Sequence, residues 1–231
     1  MAALRSACLA AATWAAWAQP AERPAGPDLR PLLGIPYVDD AVTDGRGRCV
    51  TFRAPDVPLP RPGLNCSGFV VAAARRLWGY AGGPREAARD RAGDSGPGAA
   101  LGEDWDFGYD LALNLTEGRS RRWLTPAGEL PAATPALALQ AWPVRGPEGW
   151  RRAFEGLGRN GAGVAAFLRV RGGRLRFHHV GLLVRERGRA WFYQTLPHGR
   201  VHRLEPLADA GQVRLASMFG PGERMVVLAV R

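Results

Sequence analysis

A helical pattern of apolar residues follows Asn65. The apolar side chains recur three and four positions apart, which places them on one side of a helix. They are Phe69, Val70, Ala73, Ala74 and Leu77. Asn65 is a residue type that caps helix starts, and Gly79 is a type that ends helices. The pattern therefore predicts a helix over residues 66–78, with one buried face and with Cys66 in its first turn.

The last third of the chain shows patterns typical of β-strands. Apolar runs bounded by glycine and proline turns predict strands over residues 163–170, 175–185, 190–196, 201–204 and 225–230. A second helix is predicted over 147–157, and a short strand over 48–52. Because helices come before a meander of consecutive strands, we expect an α+β fold with an antiparallel sheet.

The composition suits a single domain. The chain has 231 residues and is 46% hydrophobic, enough to bury a substantial core. We expect residues 32–231 to form this domain, preceded by a proline-rich, extended lead-in over 19–31. Residues 80–150 show no clear period and are interpreted as an insertion that forms a lid or a wall.

Residues 1–18 have the pattern of a secretory signal peptide. Arg5 supplies the positive start, and an apolar stretch too short to span a bilayer follows it. Ala16 and Ala18 place small side chains at the two positions that a signal peptidase reads. We expect cleavage after Ala18 and a periplasmic or secreted protein. No other segment approaches ~20 continuous apolar residues, so we expect no transmembrane span.

The net charge of +10 does not by itself indicate a nucleic-acid partner. All 31 basic residues are arginines, and they are scattered along the chain rather than gathered on one predicted face. We therefore expect solvated arginines and no nucleic-acid groove. Binding to anionic polymers of the cell envelope is compatible with the same charge, and we expect the protein to be a monomer.

Cys66 is the candidate nucleophile. At the start of a helix, backbone N–H groups and the helix dipole stabilise a thiolate. Once the signal peptide is removed, two cysteines are left, Cys49 and Cys66. In an oxidising compartment these two could instead form a disulfide, which would leave an inactive protein.

A cysteine nucleophile needs a base and a group that orients the base. Strand alternation places His178 on one face with Val180 and Leu182, and His179 on the other. Gln194 lies in the middle of the next predicted strand, where it could orient a histidine, and His198 in the following turn is the alternative. The histidines lack metal-ligand spacing such as H-E-x-x-H, so we expect no metal and no cofactor.

Three blocks of sequence resemble the landmarks of the NlpC/P60 family of cysteine peptidases. The blocks are Leu33–Val38 (LGIPYV), Asn65–Phe69 (NCSGF) and His179–Leu183 (HVGLL). The family pattern runs G-x-P-Y, then D-C-S-G at a helix start, then H-V-G-I-Y on a strand, with a polar residue on the next strand. The resemblance implies a papain-like core in which the Cys-bearing helix packs on an antiparallel sheet.

The resemblance also implies roles for individual residues. Cys66 would be the nucleophile, His179 the base and Gln194 the orienting group of an enzyme that cleaves amide bonds in peptidoglycan stem peptides. Tyr37, Asn65 and Ser67 would lie at the substrate. Asn65 replaces an aspartate that helps the family bind a free amine. Two alternatives stay open: acyl transfer with the same three residues, and an inactive envelope-binding module with a Cys49–Cys66 disulfide.

Overall fold

The computed structural model describes residues 28–186 and 188–231. The predicted signal peptide and most of the lead-in lie outside the described residues. The α-helices are α1 (Cys66–Trp78), α2 (Pro84–Ala87), α3 (Phe107–Leu115), α4 (Pro147–Leu157) and α5 (Asp209–Met218). The strands are β1 (Ala41–Thr43), β2 (Cys49–Thr51), β3 (Arg121–Thr125), β4 (Gly128–Pro131), β5 (Trp142–Pro143), β6 (Ala162–Arg171), β7 (Arg174–Glu186), β8 (Arg189–Gln194), β9 (His202–Leu204) and β10 (Arg224–Val230). The class is α+β.

An eight-stranded antiparallel sheet organises the described residues. Its strand order is β4-β3-β10-β6-β7-β8-β9, and the short β5 also pairs with β10. The meander β6-β7-β8-β9 follows chain order, as the sequence predicts. The strand β10 does not close the edge of this meander, because it lies between β6 and β3. Residues 121–131, in the segment interpreted as an insertion, therefore extend the main sheet.

The helix α1 has the predicted bounds, and the structure explains its ends. The Asn65 side chain accepts the backbone N–H of Gly68 at 2.7 Å, and Gly79 ends the helix in the left-handed conformation. Residues 67–74 are all buried, so the helix is covered more completely than the prediction of one buried face. A Cβ atom on Gly68 would lie 1.9 Å from the carbonyl oxygen of Ala41, so only glycine lets α1 approach β1 this closely.

Apolar clusters cover both faces of the large sheet. On one face, α1 and α3 pack against residues that include Val180, Leu182 and Val184. On the other face, α4 and α5 pack around Phe167 and Phe192. Burial of these side chains removes apolar surface from water and is the main force that holds helices and sheet together.

The face predicted for His178 is wrong, because a β-bulge interrupts the alternation of β7. His179 pairs with Phe167 and Phe177 pairs with Leu168, which leaves His178 without a partner on β6. The His178 ring pairs instead with the carboxylate of Glu223, just before β10. The prediction for His179 is confirmed, since its ring lies on the face of Phe167, opposite to Val180.

The length and polarity of the helices decide whether any of them could cross a membrane. Within residues 28–186 and 188–231, none is both long enough and apolar enough to cross a membrane.

Candidate active site

Cys66 begins α1 at the place where β7 and β8 separate. The pairing of these two strands extends from Glu186 only as far as Leu182, so β8 does not cover the backbone of Val180. The backbone N–H of Val180 is one of the groups that favour the thiolate of Cys66. The end of the strand pairing thus leaves a gap through which the first turn of α1 reaches the central strand.

His179 is held in place by Gln194. The Nε2 atom of the His179 ring lies 2.8 Å from Oε1 of Gln194, the last residue of β8. The His179 residue is 8% exposed, and Gln194 is fully buried. Phe167 and Phe219 pack against the ring, with centroid distances of 5.3 and 5.7 Å. Because Nε2 is bound to Gln194, the Nδ1 edge of the ring is the one available to Cys66.

Gly181, two residues after His179, is required by the close approach of β7 and β8. A Cβ atom on Gly181 would lie 2.4 Å from the ring of Phe192 and 2.8 Å from the carbonyl oxygen of Tyr193. Only glycine therefore lets β8 approach β7 here, and this approach brings the side chain of Gln194 to the His179 ring. The sequence His179-Val-Gly has a packing reason that is independent of the family resemblance.

The electrostatics of Cys66 and His179 favour an ion pair. Burial opposes ionisation of the thiol, but the pKa of Cys66 is lowered, because a hydrogen bond and the charge of His179 outweigh burial. Burial likewise opposes the imidazolium, yet Cys66 and then Gln194 raise the pKa of His179. The two directions agree, because each group favours the charged form of the other.

Tyr37 lies in a segment that joins the two sides of the site. The N–H of Leu64 donates to Pro36 at 3.0 Å, and the N–H of Tyr37 donates to Gly199 at 2.9 Å. The Tyr37 hydroxyl lies 3.3 Å from Asp39. Burial and the negative charges of Asp39 and Cys66 raise the pKa of Tyr37 to about 12. The bond from Leu64 to Pro36 therefore ties the neighbour of Tyr37 to the chain two residues before Cys66.

Asn65 and Ser67 flank the nucleophile in different ways. The Asn65 side chain is used as the helix cap described above, and its residue is partly exposed. Ser67 is buried, and its hydroxyl oxygen lies 3.9 Å from the Cys66 sulfur. The Ser67 hydroxyl also helps to lower the pKa of Cys66. Of the two, only Asn65 has solvent-exposed surface through which a substrate could be contacted.

Two alternatives left open by the sequence can be compared with the structure. Cys49 and Cys66 are both free thiols, so the structure contains no Cys49–Cys66 disulfide. His198 is exposed and has a left-handed backbone, with φ of 61°. It makes no described contact with His179, whereas Gln194 binds that ring.

The sequence did not indicate that His202 contacts Gln194. Its Nε2 atom lies 3.4 Å from Nε2 of Gln194, and its Nδ1 atom lies 2.9 Å from the carbonyl oxygen of Arg200. Gln194 and His202 are direct partners between β8 and β9. Counting outward from the Pro197-His-Gly turn could have suggested this pairing, but the register depends on a loop whose conformation the sequence does not specify.

Two cavities among the described residues lie away from Cys66. Their volumes are about 430 and 500 Å³, and both are lined by residues of the segment 91–137. Neither is lined by Cys66, His179 or Gln194. Across the same described part of the chain, no group of three His, Cys, Asp or Glu side chains is placed to hold a metal ion.

Comparisons with protein-family models, with curated proteins and with solved structures found no match to this chain. The chemistry of the site is therefore interpreted from its own geometry.

Proposed function

We propose that the protein is a cysteine hydrolase that cleaves an amide bond. The observation that carries this proposal is the buried His179 ring, whose Nε2 lies 2.8 Å from Oε1 of Gln194 and whose hydrogen bond and charge lower the pKa of Cys66. A nucleophile beside a base that a third group orients is the arrangement that acyl-transfer chemistry needs. Cys66 is the nucleophile, His179 the acid and base, and Gln194 the orienting residue.

The reaction proceeds through a thioester. The Cys66 thiolate attacks the amide carbonyl carbon, forms a C–S bond and moves the carbonyl electron pair onto oxygen. His179 then gives its Nδ1 proton to the amide nitrogen as the C–N bond breaks and the amine leaves. Neutral His179 next takes a proton from water, the hydroxide attacks the thioester, and the acid product leaves as the thiolate is restored.

The start of α1 supplies the stabilisation of the oxyanion. Asn65 accepts the N–H of Gly68 with its side chain and that of Phe69 with its backbone oxygen. The N–H of Cys66 precedes these capped positions, and the first N–H groups of a helix have no partner within the helix. We assign the Cys66 N–H to the developing oxyanion, where a fixed donor is most effective.

The substrate class follows from the resemblance to NlpC/P60 peptidases and from the expected export. Both support a peptidoglycan stem peptide or a related envelope peptide as the substrate, and the resemblance also supports a papain-like arrangement of helix and sheet. Asn65 is neutral, and its side-chain oxygen is occupied by Gly68. Recognition of a free substrate amine is therefore weaker than in family members with an aspartate at this position.

The test is hydrolysis of purified muropeptides, measured by mass spectrometry of the products. Cys66→Ala is expected to abolish cleavage and to leave the circular dichroism spectrum unchanged. Cys49→Ala is the matched control, because it removes the other described free thiol and is expected to retain full activity. Cleavage that persists in Cys66→Ala, or that is lost equally in both variants, overturns the assignment of the nucleophile.

A further inference from the structure

His202 extends the line of polar side chains that begins at Cys66. It faces Gln194 across the pairing of β8 with β9, and it is partly buried. From His202 the contacts run to Gln194 and on to His179, with distances of 3.4 and 2.8 Å. At the far end, the carbonyl oxygen of Arg200 lies 2.9 Å from His202. The nature of each atom fixes the direction of every hydrogen bond in this line.

The carbonyl oxygen of Arg200 can only accept, so Nδ1 of His202 carries a proton. In the neutral ring Nε2 is then an acceptor, and the NH₂ group of Gln194 donates to it. The same NH₂ group lies 3.1 Å from the Met218 sulfur, which is also only an acceptor. With its NH₂ group directed to these two atoms, Gln194 presents its carbonyl oxygen to Nε2 of His179.

We propose that His202 is a positioning residue for the hydrolysis, which fixes the orientation of the Gln194 amide and thereby the proton on Nε2 of His179. This inference rests on the proposed function, because it assigns His202 a part in activating Cys66. With its proton held at Nε2, neutral His179 presents the Nδ1 lone pair to Cys66. The imidazolium form gains as well, because its Nε2 proton is bound by the amide oxygen.

The environment of His202 favours the form that this role needs. Burial, together with the positive charges of Arg214 on α5 and His179 on β7, lowers the pKa of His202. The hydrogen bond to Arg200 works in the opposite direction but is outweighed. The neutral form of His202 is therefore favoured, whereas the pKa of His179 shifts in the opposite direction, toward the charged form. Without the acceptor at position 202, the amide can rotate and turn its NH₂ group toward Nε2 of His179, which disfavours the imidazolium.

The test measures the protonation state of the Cys66 thiol directly and needs no substrate. Full-length protein is treated with iodoacetamide over a range of pH, and the alkylation of the Cys66 peptide is followed by mass spectrometry. In the wild type, Cys66 is expected to react as a thiolate well below the usual pKa of a thiol. His202→Asn, whose side chain is too short to reach Gln194, is expected to slow this reaction at neutral pH by about tenfold.

Two further variants separate positioning from packing. His198→Asn makes the same change at an exposed histidine in the neighbouring turn and is expected to react like the wild type. His202→Gln places an amide oxygen near the former Nε2 position and is expected to restore most of the rate. In a Gln194→Ala background, His202→Asn is expected to have no further effect, because His202 acts through Gln194. Thermal melting checks that each variant is folded.

Each outcome decides between the two proposals. If wild-type Cys66 reacts as an ordinary thiol, the proposed hydrolase function fails, and the role of His202 fails with it. If wild-type Cys66 is a stabilised thiolate and folded His202→Asn reacts equally fast, the role of His202 alone is wrong. Should His202→Asn not fold, folded His202→Gln takes its place as the test, and a rate as low as that of Gln194→Ala overturns the role in the same way.

Discussion

Two groups of buried polar side chains lie on opposite sides of the central strand β7, and they differ in how they are partnered. The histidine–amide chain consists of His179, Gln194 and His202, and its ring nitrogens and amide atoms have partners at Cys66, Met218 and the Arg200 carbonyl. The acidic cluster consists of Asp106 and Asp110 at the start of α3. There, one oxygen of Asp110 is buried without any hydrogen-bond partner.

The difference is visible in the charges that each group carries. In the histidine–amide chain, the opposite charges of Cys66 and His179 offset the cost of burial and favour the ionised pair. In the acidic cluster, burial and the like charges of Asp106 and Asp90 raise the pKa of Asp110 to about 6. Burial alone therefore does not identify a reactive site, because the sign of the neighbouring charges decides which protonation state is kept.

The largest effect is expected from His179→Ala, which removes the base. We expect kcat/KM for muropeptide cleavage to fall by about 10³-fold, the scale of general acid–base catalysis. His178→Ala is the matched control, since it changes the adjacent histidine, whose ring pairs with Glu223. The control is expected to lower thermal stability and to keep kcat/KM within about tenfold of the wild type. Equal losses in the two variants would contradict the assignment.

The second prediction concerns the pH dependence of stability. The folded-state pKa of Asp110 is about 6, raised from 3.8, so its protonated form is favoured by folding. Its contribution is complete below about pH 4 and is lost as the pH rises through about 6. We expect Asp110→Asn to remove this dependence and to raise the free energy of unfolding at pH 7.5 by up to about 3 kcal/mol.

The measurement is urea denaturation of the wild type and the variant between pH 4 and pH 8. Asp104→Asn is the control, because the same change at an exposed aspartate is expected to keep the wild-type pH dependence. Identical slopes for wild type and Asp110→Asn would show that the acidic cluster is ionised in the folded state and would remove the contrast with the histidine–amide chain.

A smaller effect is expected from Gln194→Ala, which breaks the histidine–amide chain at its centre. We expect kcat to fall by about 10- to 100-fold, with KM nearly unchanged, because the imidazole loses its orientation and not its contact with substrate. Gln140→Ala, at an exposed position, is the control. A change confined to KM would indicate that Gln194 contacts the substrate instead.

The smallest effect is expected from Asn65, which carries the cap of α1. Asn65→Ala is expected to lower the free energy of unfolding by about 1 kcal/mol, measured by urea denaturation. Asn65→Asp retains the cap and should be as stable as the wild type, but it places a carboxylate beside Cys66. Iodoacetamide alkylation should then show a higher pKa of the Cys66 thiol, because like charges disfavour the thiolate. An unchanged alkylation profile would indicate that this carboxylate is too well solvated to act.

The parts of the molecule that follow local patterns could be predicted from the sequence. The bounds of α1 and α4, and of the strands β6 to β10, agree with the predictions within about two residues, as expected for boundaries. The placement of His179 beside Gln194 also follows from two adjacent strands. These features depend on residues close to one another in the chain.

The remaining features depend on distant residues. The sequence of β3, RRWLT, has no apolar alternation that predicts a buried strand, yet Trp123 and Leu124 are buried and the strand pairs with β10, about a hundred residues away. The helices α3 and α5 were not predicted, because packing rather than a clear period defines them. The bulge at His178 and the pairing of His202 with Gln194 both depend on register, which the hydrophobic pattern does not specify at these positions.

The pairing of β3 with β10 also limits how the segment 80–150 can act on a substrate. Leu124 and Trp123 are bonded in register to Val227 and Leu228, and β10 in turn is bonded along its length to β6. A swinging motion of β3 and β4 would have to break this ladder at every turnover. Any substrate selectivity contributed by β3 and β4 would therefore come from their fixed shape. Movement of these strands would not limit the rate of product release.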